Sequence, residues 1–286
     1  MLVAGVQMSC GTSKSENIAK AIRYVEDAAQ RGARLVCLQE IFASQFFPCV
    51  VDASFFEWAE RVNGETIDVM RGVAQRLGVW VVATLFERDA EIAGRFYNSA
   101  VLLDPRGGMA GVYRKSYIPY RAQNTERYYF TPGNKRFPVF QVDELRVGIN
   151  ICYDRHFPEL ARIMALKGAH LLIYPTASKA DVGRANTWMP EMISRATENV
   201  FYVLGVNRCG VEGAYRYFGH SVLVNPYGQE IAGLKDEEGV LVGDVQPQEV
   251  DRARFDYAHL RDLRTDVYQE LLHLVYAPDG SAEDGR

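Results

Sequence analysis

LRVGINICYDRHFPE, residues Leu145–Glu159, is the stretch of sequence that decides the fold of this chain. Its first half carries apolar β-branched residues at alternate positions, Val147, Ile149 and Ile151, which is typical of a buried strand. Beyond its end, apolar residues recur at helical spacing. Cys152 therefore lies at the junction between a strand end and a helix start.

Cys152 occupies a position that suits a nucleophile. A helix start offers free backbone N–H groups and the positive end of the helix dipole, and both are expected to favour the thiolate over the thiol. Three polar or charged side chains, Asp154, Arg155 and His156, follow at once. They argue against the alternative of an inert core cysteine, although free cysteines are commonly buried.

The composition describes a globular chain and excludes several function classes. The 286 residues have a formal net charge of −4, so the chain lacks the excess of basic residues that indicates nucleic-acid binding. No apolar run approaches the ~20 residues that span a bilayer, and the N-terminus lacks the basic region of a signal peptide. We therefore expect a cytoplasmic protein with neither nucleic-acid nor membrane partners.

The cysteines and histidines predict neither a disulfide framework nor a metal centre. Five widely spaced cysteines in a large chain fit free thiols in a reducing compartment. The five histidines show no HExxH motif and no paired ligand spacing. We expect no metal site.

Predicted strands and helices alternate along the chain. A strand over Leu2–Met8, a helix over Ser15–Gln30 and a strand over Arg34–Leu38 suggest a βαβ-type unit. A Pro-Arg-Gly-Gly turn joins strands over Phe96–Leu103 and Met109–Arg114 into a hairpin. This alternation predicts an α/β fold, with one large mixed sheet or two packed sheets and helices outside.

The domain organisation follows from the absence of linkers, repeats and low-complexity segments. We predict a single domain over residues 1–276, followed by a flexible polar tail over residues 277–286. Two long aperiodic segments, Phe42–Phe56 and Ser116–Asn134, are rich in aromatic residues. We expect them to be ordered loops that shape a binding pocket.

Glu40, Lys115 and Cys152 each stand at the end of a predicted strand, where functional groups gather in open α/β sheets. A thiolate attacks a carbonyl carbon, a carboxylate transfers protons, and an ammonium stabilises an oxyanion together with the Tyr153 backbone N–H. His156, four residues after the cysteine, is a rival base. The order of residues alone does not decide between these two arrangements.

Three motifs resemble the nitrilase superfamily of carbon–nitrogen hydrolases: LVCLQEIF, YRKSYIP and NICYDRHFPE. The similarity runs from about Leu2 to Val245. It implies a four-layer α-β-β-α sandwich and an amidohydrolase that needs no cofactor. By this resemblance Cys152 is the nucleophile, Glu40 the general base and acid, and Lys115 the oxyanion stabiliser.

The resemblance extends to NTERYYFTPG, whose Glu126 matches a second glutamate that positions the substrate and supports the lysine. The family commonly pairs sandwich to sandwich, and its C-terminal segment often crosses to the partner. This implies a homodimer or a higher homo-oligomer, with the helical stretch Phe255–Tyr276 as the segment that could cross.

The residues after the nucleophile suggest the substrate class. The run Cys-Tyr-Asp-Arg differs from the Cys-Trp-Glu of true nitrilases and from the Cys-Trp-Asp-Gln of N-carbamoylputrescine hydrolases, and it resembles branches that bind a substrate carboxylate through arginine. A guanidinium binds a carboxylate through two parallel hydrogen bonds. We therefore predict that Arg155 binds the carboxylate of an N-carbamoyl amino acid, with Tyr153 and Thr176 as further substrate contacts. The alternative is that Arg155 pairs with a carboxylate of its own chain.

Other functions stay open at this point. An ω-amidase, an aliphatic amidase and an N-carbamoylputrescine amidase would all use the same Glu40, Lys115 and Cys152. A glutaminase is less favoured because no P-loop of an attached synthetase is visible. From another class, an inactive scaffold would bind a partner through the sandwich without any turnover.

Overall fold

The computed structural model describes residues 1–180 and 183–276. Within these ranges, the strands form two six-stranded sheets and a separate two-stranded hairpin. The strands are β1 (Leu2–Gln7), β2 (Leu35–Leu38), β3 (Trp80–Arg88), β4 (Phe96–Leu103), β5 (Met109–Arg114), β6 (Val139–Val142), β7 (Leu145–Ile149), β8 (Leu171–Thr176), β9 (Tyr202–Asn207), β10 (Cys209–Glu212), β11 (Tyr215–Phe218), β12 (Val222–Val224), β13 (Glu230–Gly233) and β14 (Gly239–Asp244).

Two helix ends show clear capping residues. The Ser13 side chain accepts a hydrogen bond from the Glu16 N–H at the start of the first helix. Gly78, with a left-handed φ of 65°, ends the second. The helices are α1 (Lys14–Gln30), α2 (Glu65–Leu77), α3 (Glu126–Tyr129), α4 (Pro158–Leu166), α5 (Arg184–Asn199), α6 (Pro247–Asp256) and α7 (Thr265–Tyr276).

The first sheet has the strand order β14-β1-β2-β3-β4-β5 and separates two hydrophobic layers. Successive side chains of each strand point to opposite faces of this sheet. Val3 and Leu35 face the centre of the molecule, whereas Ala4 and Val36 face the outer layer, where α1 and α2 pack. A helix layer thus covers one face of this sheet.

The second sheet has the order β13-β12-β9-β8-β7-β6, with β7, β8 and β9 parallel. Its strands β8 and β9 contact β2 and β1 of the first sheet, and α5 packs against β9 and β12 on the other side. Trp188 and Met192 of α5 belong to the same core as Ile173 of β8. Helix, sheet, sheet and helix follow one another in four layers, as predicted.

Several elements differ from the sequence prediction. The apolar run VWVVAT predicts a buried strand over Val79–Thr84, whereas β3 begins at Trp80 and continues to Arg88. The aromatic segment Phe42–Phe56 contains a 3₁₀ turn over Phe47–Cys49 and the start of another over Ala53–Trp58. The hairpin of β10 and β11 and the short strands β6 and β13 were not predicted. The expected C-terminal helical stretch divides into α6 and α7, and the predicted tail over residues 277–286 lies outside the described residues.

The fold brings several strand ends to one edge of the sandwich. β2, β5 and β7 end shortly before Glu40, Lys115 and Cys152, respectively. Side chains that are far apart in the chain therefore meet where the two sheets face each other. Among the described residues, no helix is long and apolar enough to cross a membrane.

Candidate active site

Lys115 lies at the centre of a fully buried charge cluster. Its Nζ donates to Glu40 Oε1 at 2.8 Å and to Glu126 Oε2 at 2.7 Å, and none of the three side chains is exposed. Two carboxylates against one ammonium give this cluster a formal charge of −1 when all three groups are ionised. The structure thus brings Lys115, Glu40 and Glu126 together, and the contact between Lys115 and Glu40 was not predicted.

Asn98 of β4 holds this cluster in place and was missed by the sequence reasoning. Its Nδ2 donates to Glu40 Oε1 at 2.7 Å, and its backbone carbonyl accepts from the Lys115 N–H at 2.8 Å. A polar residue inside the apolar run FYNSAVLL was the signal that could have found it. Asn98 therefore holds the Glu40 carboxylate through its side chain and the Lys115 backbone through its own carbonyl.

Two carboxylate oxygens in the cluster have no hydrogen-bond partner. Glu40 Oε2 and Glu126 Oε1 are both buried, and neither accepts a hydrogen bond within the described ranges. Buried carboxylate oxygens without partners are costly, so they commonly mark functional groups. Each of these oxygens is able to accept a proton or a hydrogen bond from a substrate.

The pKa values of Lys115 and Glu126 are both raised, but for different reasons. Burial alone would lower the pKa of Lys115, but the charges of Glu126 and Glu40 outweigh it and raise that pKa above its usual value. Burial, together with the charge of Glu40, raises the pKa of Glu126 despite the nearby ammonium. Lys115 is consequently a permanent cation at neutral pH.

Cys152 opens a short 3₁₀ turn between β7 and α4, and its φ of 45° is left-handed. The buried carboxylate of Asp154 holds this turn by accepting from the Ile151 N–H at 2.9 Å. It also accepts from the Tyr117 N–H at 2.9 Å and from the Tyr113 hydroxyl at 2.7 Å, on either side of Lys115 in the chain. Asp154 thereby ties the cysteine turn to the segment that carries the lysine.

The Cys152 thiol is protonated in the unliganded protein. Burial, followed by the charge of Glu40, raises its pKa to about 11, although Lys115 and Arg155 act in the opposite direction. The expectation that the helix start favours a thiolate is therefore wrong for this state, because burial outweighs the local dipole. A nucleophilic Cys152 consequently needs a base to take its proton.

Arg155 is fully buried behind the cysteine and has a carboxylate partner within the chain. Its Nε donates to Glu191 Oε2 at 2.8 Å, and its Nη1 donates to the Cys152 carbonyl at 3.1 Å and approaches Cys152 Sγ at 3.8 Å. The third nitrogen, Nη2, donates to Ser178 Oγ at 3.1 Å. This geometry matches the alternative in which Arg155 pairs with an internal carboxylate, and its role in binding a substrate stays a prediction.

His156, the rival base, is directed away from the cysteine. Its Nδ1 bonds Glu191 Oε1, the other oxygen of the carboxylate that holds Arg155. Its Nε2 lies 3.3 Å from the Arg184 guanidinium. The geometry therefore favours the arrangement of Glu40, Lys115 and Cys152 over a Cys–His pair.

The two further predicted substrate contacts lie on either side of this centre. Tyr153 follows the cysteine, and its ring packs edge to face against Phe157, which in turn stacks on Tyr117. Thr176 ends β8, is fully buried, and its hydroxyl donates to the Tyr174 carbonyl at 3.0 Å. Both predicted roles in substrate binding stay predictions.

Arg208, another residue that the sequence reasoning missed, holds the segment that follows Glu40. Its Nη2 donates to the carbonyls of Glu40 at 2.9 Å and Ile41 at 2.7 Å. Ile41 has a left-handed φ of 50°, a conformation that a β-branched residue adopts only when its surroundings enforce it. An ion pair with Glu212 balances the buried guanidinium.

Within residues 1–180 and 183–276, no three His, Cys, Asp or Glu side chains lie together in a way that could hold a metal ion.

The comparisons with known proteins identify the family. The family model described as carbon-nitrogen hydrolase matches residues 2–255. This chain belongs to the carbon-nitrogen hydrolase family. The match confirms the sequence resemblance and the predicted enzyme class, an amidohydrolase that acts on non-peptide carbon–nitrogen bonds.

The proteins that this chain resembles are named for different substrates. The chain is 36% identical to an N-carbamoylputrescine amidase from Solanum lycopersicum, over 98% of this chain and 96% of that protein. It is 32% identical to a citrullinase from Francisella tularensis, over 94% and 97%. A carbon-nitrogen hydrolase from Helicobacter pylori G27 superposes with a TM-score of 0.90 at 32% identity, over 95% of this chain and 98% of that one. This likeness confirms the predicted four-layer sandwich.

Proposed function

We propose that this enzyme removes the carbamoyl group of a carboxylate-bearing N-carbamoyl compound and releases an amino acid, carbon dioxide and ammonia. The observation that carries the proposal is the buried cluster in which Lys115 holds Glu40 and Glu126, tied to the Cys152 turn through Asp154. Such a cluster supplies a base, a fixed cation and a nucleophile without any cofactor.

The first half-reaction begins at the protonated thiol. Glu40 takes the proton of Cys152 through its unpartnered Oε2, and the sulfur forms a bond to the ureido carbon. Lys115 and the Tyr153 backbone N–H stabilise the oxyanion of the tetrahedral intermediate. Glu126 accepts a hydrogen bond from the substrate nitrogen through its own unpartnered oxygen and keeps Lys115 in position.

The second half-reaction regenerates the enzyme. The carbon–nitrogen bond breaks as Glu40 returns its proton to the leaving nitrogen, which leaves a thioester on Cys152. Glu40 then deprotonates a water molecule, whose oxygen attacks the thioester carbon, and the thiol leaves with that proton. The released carbamate loses carbon dioxide. One carboxylate thus serves as base, acid and base again.

The choice of an N-carbamoyl substrate is supported by the relatives and by chemistry. Two of the similar proteins are named for ureido substrates, carbamoylputrescine and citrulline. These two substrates differ in charge, because citrulline bears a carboxylate and carbamoylputrescine bears only an ammonium. The sequence Cys-Tyr-Asp-Arg favours the carboxylate, although the pairing of Arg155 with Glu191 leaves open which cation binds it.

Ammonia release from a substrate panel tests the proposal. The panel contains N-carbamoyl-β-alanine, several N-carbamoyl α-amino acids, N-carbamoylputrescine and plain ω-amides, with Cys152→Ala as the blank. We expect turnover of the carboxylate-bearing ureido compounds. Turnover of N-carbamoylputrescine alone would support the ammonium-bearing alternative instead, and turnover of plain amides alone would support an amidase.

We further propose that copies of this chain associate through the C-terminal helices. Phe255 is 86% exposed, and Leu271, Leu272 and Leu274 of α7 are also exposed. Apolar surface of this kind on a soluble chain commonly marks an interface. Sedimentation analysis of the wild type and of Leu272→Glu tests this: dissociation by the charge would support the interface, and an unchanged mass would contradict it.

A further inference from the structure

Lys179 is a buried lysine whose described neighbours are a backbone carbonyl, a thiol and an aromatic ring. It lies just after β8 and is only 6% exposed. Its Nζ donates to the Gln123 carbonyl and lies 3.5 Å from Cys49 Sγ and 4.5 Å from the centroid of the Tyr215 ring. No carboxylate within the described ranges forms an ion pair with it. An ammonium removed from water without a counter-ion is costly.

The other buried cations of the described chain show how unusual this is. Six basic side chains are buried, and the other five all pair with a carboxylate. These five pairs are Arg114 with Glu87, Lys115 with Glu40 and Glu126, Arg155 with Glu191, Arg195 with Glu198, and Arg208 with Glu212. Among the residues that the structure describes, Lys179 is therefore the one buried cation without a paired carboxylate.

The position of Lys179 joins the two halves of the active site. On one side, its neighbour Ser178 accepts from Arg155, which lies against Cys152. On the other side, Cys49 Sγ lies 3.8 Å from the Tyr217 hydroxyl, and the Tyr217 ring faces the Arg208 guanidinium that holds the Glu40 segment. Lys179 consequently sits between the cysteine turn and the glutamate segment.

The groups around the Lys179 ammonium do not neutralise it. An ammonium has three donors, and the structure assigns two of them, to a carbonyl and to a weakly accepting sulfur. Burial raises the pKa of the Cys49 thiol despite the nearby lysine, so this sulfur is uncharged at neutral pH. Glu212, whose charge acts on Cys49 and Tyr217, is already paired with Arg208.

We propose that Lys179 binds the carboxylate of the substrate and makes the enzyme select anionic ureido or amide compounds. This inference rests on the proposed function and names the cation that Arg155, paired with Glu191, leaves unassigned. The substrate carboxylate supplies the missing counter-ion, and the aromatic rings of Tyr215 and Tyr217 border the same position. A substrate that carries an ammonium at this end is repelled.

Matched substrate pairs measure the effect of the lysine. One pair is an N-carbamoyl amino acid and its carboxamide, and the other is the monoamide of a dicarboxylic acid and the corresponding diamide. In Lys179→Met we expect kcat/KM to fall about 10- to 100-fold for the carboxylate member of a pair, mainly through KM. The neutral member should change less than about threefold, since it offers no charge to bind.

Two further variants separate charge from structure. Lys179→Arg should retain most of the preference for the carboxylate, and Lys179→Glu should reverse it in favour of N-carbamoylputrescine. Lys235→Met, at an exposed lysine, is the matched control and should leave both substrates unchanged. Thermal melts of every variant show whether a change in activity reflects loss of folding.

The outcomes distinguish this inference from the proposed function. Equal losses of kcat/KM for both members of a pair would show that Lys179 only holds the backbone at Gln123 in place. That result would overturn the inference. If ureido pairs are inert and amide pairs react, the proposed function fails while the lysine is still tested on the amides. Calorimetric titration of Cys152→Ala, with and without Lys179→Met, measures the same preference in binding if turnover is too slow. Equal affinities for the carboxylate and neutral compounds in Cys152→Ala would overturn the inference.

Discussion

Two adjacent residues at the end of β5, Arg114 and Lys115, enter two buried charge clusters of very different character. Arg114 forms a two-pronged pair with Glu87, donates to Asn134 Oδ1 at 2.8 Å and lies over the Tyr97 ring. Both oxygens of Glu87 have partners. In the Lys115 cluster, by contrast, one oxygen of each glutamate has no partner.

This difference teaches how to separate a structural ion pair from a reactive one. A buried charge network in which every atom is partnered gives rigidity and leaves nothing with which to react. A network with buried unpartnered oxygens is destabilising by itself and is retained where those oxygens act on a ligand. The Arg114 cluster fixes the end of β5, and in the proposed mechanism the adjacent Lys115 cluster acts on the substrate.

The largest effect is expected from removal of the reacting sulfur while both charge clusters remain. Cys152→Ala should lower kcat by about 10⁵-fold or more, because loss of a nucleophile removes the covalent route. Steady-state ammonia release measures this. Cys37→Ala, a change at a second buried cysteine in the core, should remain active, and comparable losses in both variants would contradict the assignment.

Loss of a partner in the satisfied cluster should affect stability and spare the chemistry. Glu87→Gln leaves the buried Arg114 guanidinium without a full counter-charge, apart from Asp89 at 3.5 Å. We expect the free energy of unfolding to fall by about 3 kcal/mol, with the kcat of the folded fraction nearly unchanged. Urea unfolding and activity of the same samples test this, and a large loss of kcat without loss of stability would break the comparison.

A smaller effect on kcat is expected at the second glutamate of the reactive cluster. Glu126→Gln keeps the shape but removes the charge that acts most strongly on Lys115. We expect kcat to fall about 10- to 100-fold, since an interaction with a charged group contributes about 1.5–3 kcal/mol. Glu159→Gln, at an exposed site in the first turn of α4, is the control and should have wild-type rates.

Asp154 is a satisfied carboxylate near the nucleophile and should show the smallest effect, one on pH dependence. Burial raises its pKa to about 6, so the native state binds a proton more readily than the unfolded chain, whose aspartate pKa is near 3.8. Its contribution to stability is therefore fully present below the unfolded pKa and is lost as pH rises through about 6.

The variant Asp154→Asn removes this titration. Urea unfolding of wild type and variant from about pH 4 to about pH 7 should give a stability difference that shifts by about 2 kcal/mol, with the wild type gaining toward low pH. A difference that is independent of pH would show that Asp154 ionises in the native state as it does in the unfolded chain.

The parts of this account that the sequence predicted are those set by local pattern. Apolar β-branched runs located the strands, and a polar residue just past each run located Glu40, Lys115 and Cys152 at the active edge. The roles came from the resemblance of the motifs to a family. Local periodicity and the positions of strand ends thus predicted the layers and the principal side chains of the site.

The rest depends on contacts between distant segments. Asn98, Arg208 and Lys179 owe their importance to partners that are more than 50 residues away or on another loop, which periodicity does not reveal. The raised pKa of Cys152 reflects burial, a property of the whole fold that opposed the local helix dipole. The hairpin of β10 and β11 was missed because its strands are only four residues long, too short to show a clear period.

The central claim is that Glu40 takes the proton of Cys152, and Glu40→Gln tests it most directly when turnover and thiol alkylation are measured together. The charge of Glu40 raises the pKa of the thiol, so the variant should react with a small haloacetamide at least as fast as wild type at about pH 8. Turnover should fall about 10²- to 10⁴-fold, because the proton carrier is gone. Turnover that survives the substitution would contradict this account.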